Sequence, residues 1–477
     1  MNIFELLNEK YILPSKPKLF EAFSGIGCQR LAFNRLGLDY ESVGISEIEK
    51  DAILSYSSMH TKYKKLINVY EFPSIKEMVD TLQSKNVGYD FKKQKHMITM
   101  NTNLDKVKSY YLADILSKNY GDISKIKGTD LPQIDVFTWS FPCTDLSKAG
   151  KQKGLDGTRS GLVYEVLRIM QECKANGNLP KVLIMENVVD LIQVKFIREF
   201  QEIQLELEGL GYTNYTQTLN AKDYGVAQNR DRVFMVSILG DYYYEFPKPI
   251  KLEKRLKDYL ESEVDPKYYL SDKMLNCFTD MTNRNGLVRG DRFNPHDIEN
   301  SKYAFAITTL AGNRATDNFI KMPEDTKQGY AKAYDGDGVY INRPHQKRGV
   351  VQDGMIQTLK TSCADVGVVI EDIVIGSSQK NAYQGSLDGI CSTLTSAMGM
   401  GGGQTPMVTE NNRLRIRKLT PLECWRLMGI DDKNFHKASK VCSNGQLYRQ
   451  SGNGIVIDVF ASIVSTMQGE QNEYLYI

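Results

Sequence analysis

Apolar positions along the first half of the chain alternate between two periods. Lys18-Leu19-Phe20-Glu21-Ala22-Phe23 reads as a short strand. Ser24-Gly25-Ile26-Gly27 follows it, and from Cys28 to Leu36 the residues Leu31, Ala32 and Leu36 share one helical face, with Gly37 placed as a C-cap. A second strand, Tyr40 to Ser46, stops at Glu47, where a helix begins. The alternation continues with a strand over 134–140, a helix over 160–174, and a strand Val182-Leu183-Ile184-Met185 ending at Glu186-Asn187-Val188. A helix near 195–209 and strands near 212–219 and 232–239 complete it. β-Branched and aromatic runs alternating with amphipathic helices predict an α/β fold with a doubly wound, mostly parallel sheet.

Residues 60–119 interrupt this pattern. They hold eleven lysines and six acids, with helices expected over 74–84 and 104–119, and read as an insertion presenting a solvated face. From about 246 to 412 short apolar pieces are separated by Gly, Asp and Asn, as in Asp335-Gly336-Asp337-Gly338. That predicts a smaller, loop-rich, partly β domain. Helical periodicity returns over 419–428 and 454–467, with Gln450-Ser451-Gly452-Asn453-Gly454 between. The expected organisation is therefore a domain over 1–245, a second over 246–412, and a C-terminal segment, 413–477, that completes the first.

A chain of 477 residues has room for two domains, and no apolar run reaches a membrane span. The first nine residues carry two acids and lack a basic start before an apolar core, which argues against a signal peptide. Eight scattered cysteines without a CxxC point to reduced thiols in a cytoplasmic protein, with no zinc site. The net charge of +2, from 60 basic and 58 acidic residues, is neutral on a nucleic-acid partner.

Three places carry candidate chemistry. The first is the glycine turn after the first strand. There the backbone can approach a ligand and a helix N-terminus offers free N–H groups, although GxG alone fits a plain tight turn equally well. The second is Glu47, about 20 residues beyond the turn, where an acid commonly holds ribose hydroxyls and also suits a helix start. The third is Cys143, just past Pro142 on a strand-end loop. On its own segment it reads either as a packed thiol or as a nucleophile.

Together these motifs resemble the cytosine-5 DNA methyltransferases of bacteria and phages, in that family's unpermuted order over most of 18–240 and 413–467. Phe23-Ser24-Gly25-Ile26-Gly27 resembles the methyl-donor loop, Glu47-Ile48 the ribose and adenine holders, and Gly121-Asp122-Ile123 the adenine-edge turn. Phe141-Pro142-Cys143 resembles the catalytic loop, with Ser140 where glycine is common and Thr144-Asp145-Leu146-Ser147 departing from Gln-x-Phe-Ser. Glu186-Asn187-Val188, Leu219-Asn220-Ala221 with Tyr224-Gly225-Val226, and Gln228-Asn229-Arg230-Asp231-Arg232 match the next three elements. Arg417–Cys424 and Gln450-x-Gly452-Asn453-Gly454 resemble the last two.

The resemblance implies a catalytic set of Cys143, Pro142, Glu186, Arg230 and Arg232. It implies S-adenosylmethionine as donor and no metal. The donor-binding residues would be Phe23, Ser24, Gly25, Ile26, Gly27, Glu47, Ile48, Asp122, Ile123, Pro142, Leu162, Asn453 and Ile455. It also implies double-stranded DNA as partner, cytoplasmic action as a monomer, and room for a cognate restriction endonuclease. Target reading falls to 246–412, where Ser392–Ser396 resembles the end of the recognition domain. The pairs Thr309-Leu310, Thr358-Leu359 and Thr393-Leu394 are either further recognition units or a recurring common dipeptide. Methyl transfer to tRNA, an inactive DNA-binding relative and a nicotinamide oxidoreductase are the competing readings.

Overall fold

The computed structural model describes residues 8–142, 161–268 and 414–469, with short strands between 296 and 375. Cys143, Thr144–Ser147, the three Thr-Leu pairs and Ser392–Ser396 lie outside the described residues.

Six strands form the central sheet: β1 (Lys18–Ala22), β2 (Glu41–Ser46), β3 (Val136–Trp139), β4 (Val182–Asn187), β5 (Tyr212–Asn220) and β6 (Asp231–Leu239). Their order is β2-β1-β3-β4-β6-β5. β2, β1, β3 and β4 pair in parallel, and β6 lies antiparallel between β4 and β5, so β6 alone runs against the rest. All six residues of β4 are buried, as suits a strand covered on both faces. The chain leaves β1 towards β2 and later returns to lay β3 on the other side of β1. That reversal is the switch point at which open α/β sheets form their ligand crevice. The ends of β1 and β3 there carry the glycine turn and the Pro142 loop.

Helices cover the sheet: α1 (Cys28–Arg35), α2 (Lys50–His60), α3 (Ile75–Ser84), α4 (Leu104–Leu116), α5 (Leu162–Ala175), α6 (Ile197–Leu210), α7 (Pro421–Arg426), α8 (Asp432–Ser439), α9 (Asn444–Asn453) and α10 (Ile457–Ser465). On one face, Val163, Val166, Ile169 and Met170 of α5 and Phe200, Ile203 and Leu207 of α6 pack onto Phe137, Trp139 and Leu183. Phe20 and Phe137 stack with centroids 5.3 Å apart. Each fully buried side chain of this size contributes roughly 1.5–3 kcal/mol. On the sequence-distant side, α10 packs against α1, and Arg35 of α1 pairs with Asp458 of α10.

Two expectations need revision. The 60–119 insertion is more than a solvated face: Met78, Val79, Leu82, Val87, Ile98, Val107, Leu112 and Ala113 form a core with Ile53 and Leu54 of α2. Its lysines stand outside that core, so their number hid the apolar positions between them. Gln450–Asn453 does not link two helices but ends one, α9, which the sequence reading missed together with α8. α8 is rich in Asp, Lys, Asn and Ser and α9 in Asn, Gln, Gly and Ser, and burial of Phe435, Leu447 and Tyr448 overrides their modest propensity.

The chain divides into two compact units, 1–259 with 302–311 and 421–477, and 260–301 with 312–420. In the second, Phe319–Pro323 lies between His296–Asp297, parallel, and Leu414–Lys418, antiparallel. A separate antiparallel sheet there joins Val351–Gln352, Gly338–Tyr340, Val366–Ile370 and Ile373–Ile375.

Candidate active site

The turn after β1 is built from left-handed backbone. Phe23, Gly25 and Gly27 have φ of 55°, 54° and 80°. Gly27 is also a matter of space, because a Cβ there would lie 2.5 Å from the Tyr56 ring and 2.7 Å from His60 Nε2. A Cβ on Gly25 would meet nothing within 4 Å, so that side of the turn is open. The Gly25 N–H donates to Glu47 Oε2 at 2.8 Å, and the N–H groups of Ile48 and Glu49 donate to Oε1, both at 2.8 Å. Glu47 thus ties the ends of β1 and β2 together. Burial nevertheless lifts its carboxyl above the usual range.

Beneath the turn lies a second buried carboxyl. Glu21, fully buried in β1, accepts from the Tyr56 hydroxyl at 2.6 Å and from the Arg30 N–H at 3.2 Å. Burial pushes it up to about 7 against those two donors and the Arg30 charge. His60, against the Ile26 carbonyl at 3.0 Å, is pushed down to about 3 by burial and by Arg30, so it is neutral.

Asn119, which no sequence pattern marks, fixes the next wall. Its amide accepts from the Glu47 and Gly121 N–H groups, each at 3.0 Å, and donates to the Glu47 carbonyl at 3.0 Å. Asp122 caps the short turn Ile123–Lys125 through Ser124, and Ile123 is buried.

A fit to a nucleoside-bearing methyl donor rests on three features of this crevice. The Ser24 hydroxyl is buried without a partner among the described residues. The backbone at Gly25 is open on one side. Glu47 and Asp122 hold carboxylates at either wall. Phe23 and Leu162 are half-buried against the same core, and Ile48 is half-buried beside Glu47. Ile455 is buried, and its N–H meets the Cys28 thiol, which burial pushes up to about 12. Asn453, in contrast, is exposed on the last turn of α9.

At the ends of β3 and β4 two expected residues, Glu186 and Arg232, meet Ser140. Ser140 Oγ donates to Glu186 Oε2 at 2.7 Å, and Arg232 Nε lies 3.0 Å from Glu186 Oε1. Glu186 is 6% exposed. Asn187 Nδ2 donates to the Phe141 carbonyl at 3.2 Å, which holds the approach to Pro142 against β4. Arg230 is buried and turns to the C-terminal segment, donating to the carbonyls of Gly452 at 3.1 Å and Gly454 at 2.9 Å. Glu186, Arg230 and Arg232 line one small cavity with Leu219, Phe234 and Val456. A carboxyl gripped at both oxygens, beside a permanent cation at a crevice edge, is fixed in place to orient a polar heterocycle.

The chain matches the model of the C-5 cytosine-specific DNA methylases over residues 77–469. The type II methyltransferase M2.ScrFI of Lactococcus lactis subsp. cremoris is 33% identical over 94% of this chain and 97% of its own. The orphan methyltransferase M.SssI of Spiroplasma monobiae is 36% identical over 58% of this chain and 75% of its own. In fold, the S. pombe Dnmt2 methyltransferase superposes with a TM-score of 0.53 at 16% identity, covering 95% of this chain and 98% of that one. The chain belongs to the C-5 cytosine-specific DNA methylase family.

Proposed function

We propose that this chain moves a methyl group from S-adenosylmethionine to carbon 5 of a cytosine turned out of duplex DNA. The observation that carries the reading is the Glu186 carboxyl held between Ser140 and Arg232 at the strand end beside Pro142.

Carbon 5 of cytosine is a weak nucleophile, and covalent catalysis divides the difficulty. The Cys143 thiolate adds to carbon 6, and the ring electrons move towards N3 and O2. Glu186, as the acid, gives a proton to N3, while Arg232 holds the base oxygen through its fixed fork of donors. Carbon 5 is then enamine-like. Bound S-adenosylmethionine supplies the electrophilic methyl group there. Transfer of the carbon-5 proton to a base, return of the N3 proton to Glu186 and departure of the thiolate restore the ring. The residues that would hold the donor are Phe23 to Gly27, Glu47, Ile48, Asp122, Ile123, Pro142, Leu162, Asn453 and Ile455. Reaching carbon 6 requires the base to leave the stack, at a cost of a few kcal/mol. Target reading is assigned to 246–412, and action to the cytoplasm of a bacterial or phage-infected cell.

The test is a duplex carrying 5-fluorocytosine at the site mapped by methylation sequencing of DNA from expressing cells. With the proton replaced by fluorine, a denaturation-resistant adduct forms through Cys143. Absence of an adduct on a confirmed site would overturn the thiol route.

A further inference from the structure

Besides Asn119 at its end, the 60–119 insertion reaches the donor crevice through the turn Lys85–Gly88. It touches both residues assigned to the adenine. Asn86 Nδ2 donates to Asp122 Oδ2 at 2.7 Å, and the Gly88 N–H donates to the Ile48 carbonyl at 2.7 Å. Between these, the Asp122 N–H donates to the Lys85 carbonyl at 2.9 Å. The approach is so close that a Cβ on Gly121 would lie 2.4 Å from that carbonyl oxygen.

The Asn86 amide has one orientation that satisfies its neighbours. Its Nδ2 faces a carboxylate, and its Oδ1 accepts from the Lys125 ammonium at 2.9 Å. A flipped amide would set donor against donor and acceptor against acceptor. The residue sits at φ 56°, a conformation that Asn tolerates better than most side chains. The turn is anchored from behind. Lys85 Nζ binds the buried Asp114 carboxylate at 2.6 Å and the Asn119 carbonyl at 2.7 Å. Leu82, Val87 and Ile98 beside it are fully buried.

We infer that Asn86 is a positioning residue for donor recognition: it sets the Asp122 carboxylate so that this group accepts from the exocyclic amine of the adenine. Asp122 Oδ1 is held by the Ser124 N–H and hydroxyl, at 3.0 and 2.8 Å, and Oδ2 by Asn86. With both oxygens pinned, the rotamer is fixed, and Oδ2 keeps a lone pair for an incoming N–H donor. A 6-amino purine offers that donor and a 6-oxo purine does not. The insertion therefore contributes to choosing the donor's base. The inference rests on the reading of Asp122 as an adenine contact.

The test is calorimetric titration of S-adenosylhomocysteine and its inosyl analogue into the whole chain and into Asn86→Gly, Asn86→Ala and Asp122→Ala. Asn86→Gly removes the amide and tolerates the left-handed backbone. Kd for the adenosyl ligand is expected to rise about five- to tenfold in Asn86→Gly, the size of one lost hydrogen bond. Affinity for the inosyl ligand stays nearly constant, so discrimination between the two falls. KM for the donor rises with kcat preserved at saturation. If Asp122→Ala weakens adenosyl binding and Asn86→Gly does not, Asn86 has no such role. If Asp122→Ala leaves binding unchanged, the reading of Asp122 fails first. An equal loss for both ligands in Asn86→Gly and Asn86→Ala, with a lowered Tm, would show a merely structural role and overturn the inference.

Discussion

The Ser140 hydroxyl donates to Glu186 Oε2 at 2.7 Å. A neutral donor to a carboxylate contributes about 1.5 kcal/mol and fixes its rotamer. Ser140→Ala should lower kcat about tenfold and leave the Kd of S-adenosylhomocysteine unchanged, while Ser140→Thr retains most of the rate. Steady-state methylation of a duplex substrate measures this, and an unaltered kcat in Ser140→Ala would make the hydroxyl dispensable.

Glu186→Gln keeps the shape of the side chain but has no proton to give N3. Its kcat should fall roughly 10²–10⁴-fold, the usual contribution of a placed acid, with donor affinity preserved. The same variant leaves Arg232 without its charged partner at 3.0 Å. Single-turnover transfer separates the chemical step from release, and a rate within a few-fold of the parent would remove Glu186 from the mechanism.

The two glycines of the donor turn make a matched pair. Both have positive φ, yet a Cβ on Gly27 strikes the Tyr56 ring and a Cβ on Gly25 strikes nothing. Gly27→Ala should therefore lose the larger stability, about 1–3 kcal/mol from crowding added to a smaller backbone cost common to both. Thermal melts should show a lower Tm for Gly27→Ala than for Gly25→Ala. The reverse order would contradict the packing described at α2.

Glu21 gives stability a pH dependence. Burial raises its folded carboxyl from 4.5 to about 7, so the folded chain binds this proton more tightly than the unfolded chain. The contribution is full below about 4.5 and is lost as pH rises through about 7, amounting to ~3 kcal/mol. The difference in unfolding free energy between parent and Glu21→Gln should change across that window. A difference independent of pH from 4 to 8 would sink the assignment.

What could be read in advance follows physical lines. β1, the glycine turn, Glu47, Glu186 and the Arg230/Arg232 pair were legible because an apolar run that stops at a chemically distinctive residue is a local signal. Asn119 and Asn86 were not. Each acts through hydrogen bonds to residues more than thirty positions away in at least one direction, and an isolated asparagine has no periodicity to betray it. Ser140 was visible only as a departure from the glycine that the family resemblance leads one to expect, and its contact with Glu186 depends on how β3 and β4 pair. The insertion misled for another reason: its lysine content described its surface, while its core is spread over α3, α4 and the turn between them.

Arg230 reaches the carbonyls of Gly452 and Gly454 across 222 and 224 residues of sequence. Translation proceeds from one end, at ~5–20 residues per second. The two acceptors are therefore added to the chain roughly 10–45 seconds after the guanidinium that binds them. All six strands of the central sheet exist by then, with Glu186 already at the end of its strand. A chain that ends before residue 452 holds every strand of the central sheet in its sequence and lacks the two carbonyls that Arg230 binds.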